Sequence, residues 1–185
     1  MSLKLYRVSS ITAPYEDFSQ VRPDRLEAAS CRGTDVHEYL YCYALGLWSP
    51  RPDGAGGYCE SGERWLDQNL KTIISAEREY QDSILGFCGH PDLLMEDQRG
   101  GILLVDYKTP VIEARSWGLK LSAYHYLVCK HHKFKKTKVA PGALMLSPTG
   151  GSARFKPYYE QIDYYFGLFL SALNLMRFFK EGKND

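Results

Sequence analysis

Gly86-Phe87-Cys88-Gly89-His90-Pro91-Asp92-Leu93-Leu94 and, beyond a glycine turn, Leu103-Leu104-Val105-Asp106-Tyr107-Lys108-Thr109 are the two runs whose reading decides the fold of this chain. Apolar residues flank a carboxylate in each, and Gln98-Arg99-Gly100-Gly101 between them is turn-forming. An antiparallel pair joined near Gly100 brings Asp92 and Asp106 close together. Period-two alternation then sets Lys108 on the same face as Asp106. Two acids and one amine converge at the edge of a core, where unpaired carboxylates are costly unless a cation compensates them.

Working outward, a third strand candidate over Ala76 to Gln81 precedes Gly89 to Glu96 and Gly101 to Lys108, which together predict an antiparallel meander. Upstream, Leu26, Ala29, Val36, Leu40, Tyr43, Ala44 and Leu47 recur at helical spacing between Pro23 and Trp48. Gly33 and Thr34 are placed to interrupt that period, Thr34 then serving as the N-cap of a second segment. Ser49 to Gly62 concentrates prolines and glycines and predicts a loop. A helix carrying Trp65, Leu66, Leu70, Ile73 and Ile74 follows. Residues 1 to 24 read as a short arm with little sustained pattern. Downstream, Trp117, Leu121, Tyr124, Leu127 and Val128 predict a helix from Ala114 to Lys130, and Val139 to Leu146 predicts a strand. Ser147 to Gly151 is a turn, with Ala153 to Tyr158 pairing back. The broad apolar face of Tyr159 to Lys180 predicts a final helix packed on the sheet.

With 185 residues, 44% hydrophobic and 24% charged, the chain is long enough for one domain spanning 1–185 and too short for two ordinary ones. The formal charge of +1 excludes bulk basicity as a signature of nucleic-acid binding and leaves local clusters open. Five scattered cysteines without a paired spacing fit free thiols in a reducing cytoplasm. No apolar run approaches the roughly 18 residues of a membrane span, and no secretory signal is legible. A cytoplasmic protein without a membrane partner is expected.

The chemistry that wants two acids beside an amine is phosphodiester hydrolysis. Hard oxygen ligands hold Mg²⁺ or Mn²⁺ while the amine orients or activates water. Oxygen donors predominate, which favours these ions over zinc. Pro91-Asp92 followed by Asp106-Tyr107-Lys108 resembles the PD-(D/E)xK nuclease superfamily, and the order of helix, three strands and helix resembles it too. Within it, Gly33-Thr34-Asp35-Val36-His37 is similar to the upstream motif of the RecB-type nucleases, which include phage and recombination exonucleases and the CRISPR-associated exonucleases. The resemblance covers most of Gly33 to Tyr124.

That resemblance implies an α/β fold with a restriction-endonuclease-like core, a central mixed β-sheet flanked by helices. It implies Asp92, Asp106 and Lys108 as catalytic residues. His37, Asp92, Asp106 and the Tyr107 carbonyl become ligands to Mg²⁺ or Mn²⁺. It also implies a Gln-x-x-x-Tyr element contacting DNA, for which Tyr124 is present while Lys120 replaces the glutamine. Some CRISPR-associated members hold an iron–sulfur cluster through one early cysteine and three late ones. No cysteine follows Cys129, so no cluster is expected.

Lys133, Lys135 and Lys136, within the block from Lys130 to Lys138, are candidates for phosphate contact, with Phe134 available to stack on a base. The competing reading is a solvated loop with a partly buried phenylalanine. Glu77 could reach the metal through water, yet within the charged run Glu77-Arg78-Glu79 it reads as solvated and stands outside the primary set. His90 is a minor candidate, and His131-His132 lack a third ligand at metal spacing. The activity expected is a DNA nuclease, with an exonuclease favoured on the RecB-type likeness alone. A silent DNA-binding or assembly module of the same fold, and a restriction or repair endonuclease, remain open, as do a homo-oligomer and a recombination partner protein.

Overall fold

The computed structural model describes residues 4–16, 19, 21–109 and 112–181. Parts of the expected arm, 1–3, 17, 18 and 20, lie outside these. The chain is α/β, with two sheets and flanking helices. Strand β1 (Tyr6–Arg7) leads into a short helix α1 (Val8–Thr12). Helices α2 (Pro23–Ala44) and α3 (Gly56–Asn69) precede strands β2 (Leu70–Ala76), β3 (Tyr80–Asp82), β4 (Phe87–Gly89), β5 (Leu93–Asp97) and β6 (Ile102–Lys108). Helix α4 (Ser116–His132), strands β7 (Val139–Met145) and β8 (Arg154–Pro157), and helix α5 (Ile162–Glu181) complete the order. The main sheet runs β2-β5-β6-β7-β8 and a smaller one runs β1-β4-β3.

The central strand explains the layering. Leu104 and Val105 are both fully buried although they point to opposite faces of β6, as expected for a strand covered on both sides. On one face Leu94 and Leu104 pack with Tyr124, Leu127 and Val128 of α4 and Phe169 and Leu173 of α5. On the other, Leu93, Met95, Val105 and Tyr107 pack with Val36 and Leu40 of α2 and Cys59 and Leu66 of α3. Full burial of each such side chain contributes roughly 1.5–3 kcal/mol. The β2-β5-β6 meander is antiparallel, β7 runs parallel to β6, and β8 is antiparallel to β7. Among the described residues no helix is long and apolar enough to cross a membrane.

Several local expectations are corrected. Helix α2 passes through Gly33 and Thr34 without a break, and the Thr34 hydroxyl donates to the Ser30 carbonyl (3.2 Å) rather than capping a new helix. The loop expected up to Gly62 ends earlier, because α3 begins at Gly56. Its glycines serve close approach instead of breaking the helix. A Cβ on Gly57 would lie 2.0 Å from the Pro148 carbonyl oxygen, and one on Gly62 would lie 2.6 Å from the Leu40 side chain. The helix expected through Ile74 stops at Asn69, since Leu70–Ala76 gains more from antiparallel pairing with β5. The single strand expected over Gly89 to Glu96 is two, β4 in the small sheet and β5 in the main one. Residues 76–81 likewise divide between β2 and β3, separated at Glu77. Helix α5 starts at Ile162 after a 3-10 turn over Tyr159–Gln161.

Asp82 ties the small sheet to α4. Only 2% exposed, its Oδ1 accepts from the Ile84 and Leu85 amides at 2.8 and 3.0 Å. Its Oδ2 accepts from the Tyr126 hydroxyl at 2.8 Å and the Lys130 ammonium at 2.6 Å. Burial alone would raise this carboxyl, but Lys130 and the other three donors bring it down to about 2. A depressed folded value stabilises the protein above the ordinary 3.8 and withdraws that stability as pH falls from 3.8 through about 2. We expect about 2 kcal/mol to be lost from Asp82 across this interval in urea titrations. Asp82→Ala should cost about 2–4 kcal/mol at pH 7 and flatten the acid limb. Equal acid slopes for both proteins would reject this assignment.

Candidate metal centre

Sheet register assembles the site. Ala76 pairs with Leu93 and Leu93 with Val105, so the next row places Glu77, Asp92 and Asp106 side by side at one end of three adjoining strands. The Glu77 amide donating to the Asp92 carbonyl at 3.1 Å continues that row. Asp92 and Asp106 therefore share a face, the one that carries Leu94, Leu104 and α4. Lys108 follows two residues later on that face, as alternation requires. Neighbouring strands about 4.8 Å apart give the acids a spacing suited to a shared cation.

His37 arrives from the opposite layer. The core contacts of Val36 and Leu40 fix α2 on the Tyr107 face of the sheet, and the His37 ring meets the Tyr107 ring edge-on at 5.6 Å. From there Nδ1 lies 3.3 Å from Asp92 Oδ2. The same oxygen accepts the Tyr107 amide at 2.6 Å. Burial would lower the His37 pKa, but the Asp92 carboxylate outweighs it and raises it above 6.5.

One ligand atom each from His37, Glu77 and Asp92 falls within a 4.8 Å group. A cleft of about 380 Å³ lined by Thr34, His37, Glu38, Tyr41, Glu77 and Asp92 opens onto it. Glu77 stands in the left-handed region at φ 45, a conformation uncommon for residues other than glycine. Burial, reinforced by the Asp92 charge, pushes its carboxyl up to about 7. Asp106 is outside the 4.8 Å group. It is fully buried, with Lys108 in ion-pair contact at Oδ2 and Lys120 Nζ 3.0 Å from Oδ1. Burial favours the neutral acid, yet these two ammoniums hold the Asp106 carboxyl far below the usual range. Lys120 answers in kind: burial would lower its pKa, and Asp106 raises it well above 10.5.

No protein-family model and no curated protein sequence matches the chain.

Two tests of fit to a divalent cation are met. Neither Asp106 oxygen makes a hydrogen bond of good geometry despite the ion pairs, leaving lone pairs for another partner. The donors near it are carboxylates with one imidazole, a set that suits Mn²⁺ and Mg²⁺. Of the expected ligands, His37 and Asp92 come together directly. Asp106 adjoins them through the row, and Tyr107 supplies the strand segment between Asp106 and Lys108.

Glu77 joins the site although its sequence context reads as solvated, and Lys120 joins it in a different role from the one expected. The signal for Glu77 is that it directly follows the strand that pairs with the Asp92 strand. Lys120, expected to face DNA, turns to Asp106 instead, its Nζ 5.5 Å from the ring centre of the buried Tyr124. Lys133, Lys135 and Lys136 are not brought to the site. They follow α4 at the end of the sheet where Ile102 pairs with Val139, and thirteen residues separate Lys133 from Lys120, about 20 Å of helix. Lys136 pairs with Asp163 at 2.6 Å. Phe134 is half-buried and packs against the core, with one ring face stacked on His132 at 5.2 Å. His90 pairs with Glu79 at 3.4 Å and lies outside the cluster.

In calorimetric titrations of the full chain with Mn²⁺, Glu77→Gln and Asp92→Asn should each weaken binding about tenfold or more, as loss of a ligating or ligand-orienting group does. Glu79→Gln should leave it unchanged. Equal affinity of Glu77→Gln and the unaltered protein would remove Glu77 from the site.

Proposed function

We propose that the chain is a metal-dependent deoxyribonuclease of the PD-(D/E)xK type, hydrolysing phosphodiester bonds at the end of strands β2, β5 and β6. The observation that carries this reading is the cross-strand row of Glu77, Asp92 and Asp106, met by His37 from one layer and by Lys108 and Lys120 from the other. The mixed sheet with helices on both faces is compatible with the restriction-endonuclease-like core that the motif implies.

Mg²⁺ or Mn²⁺ bound by His37, Asp92, Asp106 and Glu77 would offset the negative charge that builds on a phosphoryl group under attack. The side chains account for the rest. The Asp106 carboxylate holds the Lys108 amine at the sheet end, where it can hydrogen-bond a water and direct its lone pair towards phosphorus. Water oxygen joins phosphorus, one P–O ester bond breaks, and the departing alkoxide takes up the proton that water releases. Lys120 stays a cation through its contact with Asp106 and helps keep that buried carboxylate charged. The Asp92 carboxylate, anchored by the Tyr107 amide and His37, resists swinging away as substrate enters.

Exonuclease action on DNA is the favoured form, resting on the RecB-type resemblance. End-labelled linear duplex and matched closed circles, incubated with Mg²⁺, Mn²⁺ or chelator, test activity, metal need and end dependence together. Linear DNA should be degraded with metal, circles should survive, and chelator should stop the reaction. Asp106→Ala and Lys108→Ala should each lower the rate about 10²–10⁴-fold, with folding checked by circular dichroism. Unchanged degradation by both variants removes the assignment, and cleavage of circles converts it to an endonuclease.

A further inference from the structure

The row that holds the acids continues beyond the metal centre. Asp106 pairs with Ala143 of β7, and Ala143 pairs with Lys156 of β8. Two strand spacings separate Asp106 from Lys156, about 10 Å along one face of the sheet. The residue between them, Ala143, is fully buried beneath Trp117 and Leu121 of α4.

At the Lys156 end lies a cavity of about 400 Å³ whose lining includes Glu113, Lys156, Tyr158, Tyr159, Gln161 and Tyr165. That volume is in the range of sites that enclose small organic ligands. Its chemistry is aromatic and polar together. The Tyr158 and Tyr165 rings sit 6.0 Å apart, tilted by 60°, and Tyr159 is 42% exposed. The Glu113 carboxylate accepts from both the Lys156 ammonium and the Tyr158 hydroxyl, which presents an acceptor and a cation side by side at the cavity wall. The Tyr165 ring lies against Gly118, where a Cβ would come within 2.7 Å of it. The preceding residue, Trp117, has its ring centre 5.4 Å from the Lys108 ammonium. A packed path thus joins the cavity wall to the amine of the proposed active site.

We propose that this cavity binds the nucleobase of a nucleotide flanking the scissile phosphate, seated against tyrosine with its polar edge towards Glu113, Lys156 and Gln161. This rests on the nuclease reading for its biological sense, but the binding it requires is independent of turnover. A base carries a π-face for the rings and donors and acceptors on its edge for the carboxylate, ammonium and amide. A distance of about 10 Å from Asp106 suits a nucleotide adjoining the bond to be cut. An apolar ligand would leave the Glu113–Lys156 pair unanswered, and a bare anion would leave the tyrosines without contact.

The test uses the full chain with deoxyadenosine and inorganic phosphate as separate probes, followed by magnetic resonance or calorimetry. In parallel, Mn²⁺-supported cleavage is mapped on linear DNA carrying one abasic residue. Deoxyadenosine should bind, and Tyr159→Ala, at an exposed position, should weaken it about tenfold without changing the melting temperature. Glu113→Gln, which keeps the shape of the side chain, should weaken it severalfold. The abasic residue should slow cleavage of one neighbouring bond about tenfold, and that penalty should shrink below about twofold in Tyr159→Ala. Binding of phosphate but not deoxyadenosine, or cleavage indifferent to the abasic position, overturns the pocket while leaving the nuclease reading in place. Tyr159-dependent deoxyadenosine binding without any DNA cleavage supports the pocket and rejects the nuclease.

Discussion

Burying the Asp106 carboxylate in the middle of a five-stranded sheet is the constraint to which the rest of the site answers. A charged group with no solvent exposure is tolerated only when opposite charge stands within a few ångströms. Strand β6 supplies one ammonium itself, because Lys108 lies two residues along the same face. The second comes from Lys120 on α4, which obliges the N-terminal half of that helix to lie over the end of β6. Trp117, Leu121 and Tyr124, buried at helical spacing, seat α4 there. Asp82 pins its C-terminal half through Tyr126 and Lys130. The electrostatic demand of one carboxylate and the packing of one helix are a single arrangement.

Around that charge pair, strand spacing does the work that flexible ligands would otherwise have to do. Glu77, Asp92 and Asp106 occupy one row because β2, β5 and β6 pair in antiparallel register. Each acid is therefore placed by backbone hydrogen bonds and not by side-chain freedom. His37 is the exception, reaching the row from α2 across the Tyr107 ring. Because Asp92 Oδ2 receives both His37 and the Tyr107 amide, the histidine and the β6 backbone are held to the same carboxylate.

Much of this architecture was legible from local pattern. Alternation around Asp92 and Asp106 gave the central hairpin, the turn at Gly100 and the shared face of Lys108. Helical spacing located α4, the final helix and most of α2. The errors have one physical origin. Gly56, Gly57 and Gly62 read as breakers, yet all three are in α3, where Gly57 and Gly62 let the Pro148 carbonyl and the Leu40 side chain approach more closely than a Cβ would allow. Leu70 to Ile74 read as helix, yet β5 offered a partner. In each case a contact distant in the sequence outweighed a preference of less than about 1 kcal/mol per residue.

Sequence alone determined the alternation that makes β5 and β6 strands and the presence of two acids, an amine and an upstream histidine at suggestive positions. These are short-range properties, set by the period of the backbone and the chemistry of each side chain. Tertiary structure decided which further groups join them. Glu77 enters the row through strand pairing, Lys120 turns inward to a buried charge, and the lysines after α4 are left at the far end of the sheet. No pattern along the chain encodes those outcomes, because each depends on register and helix placement that only the packed core defines.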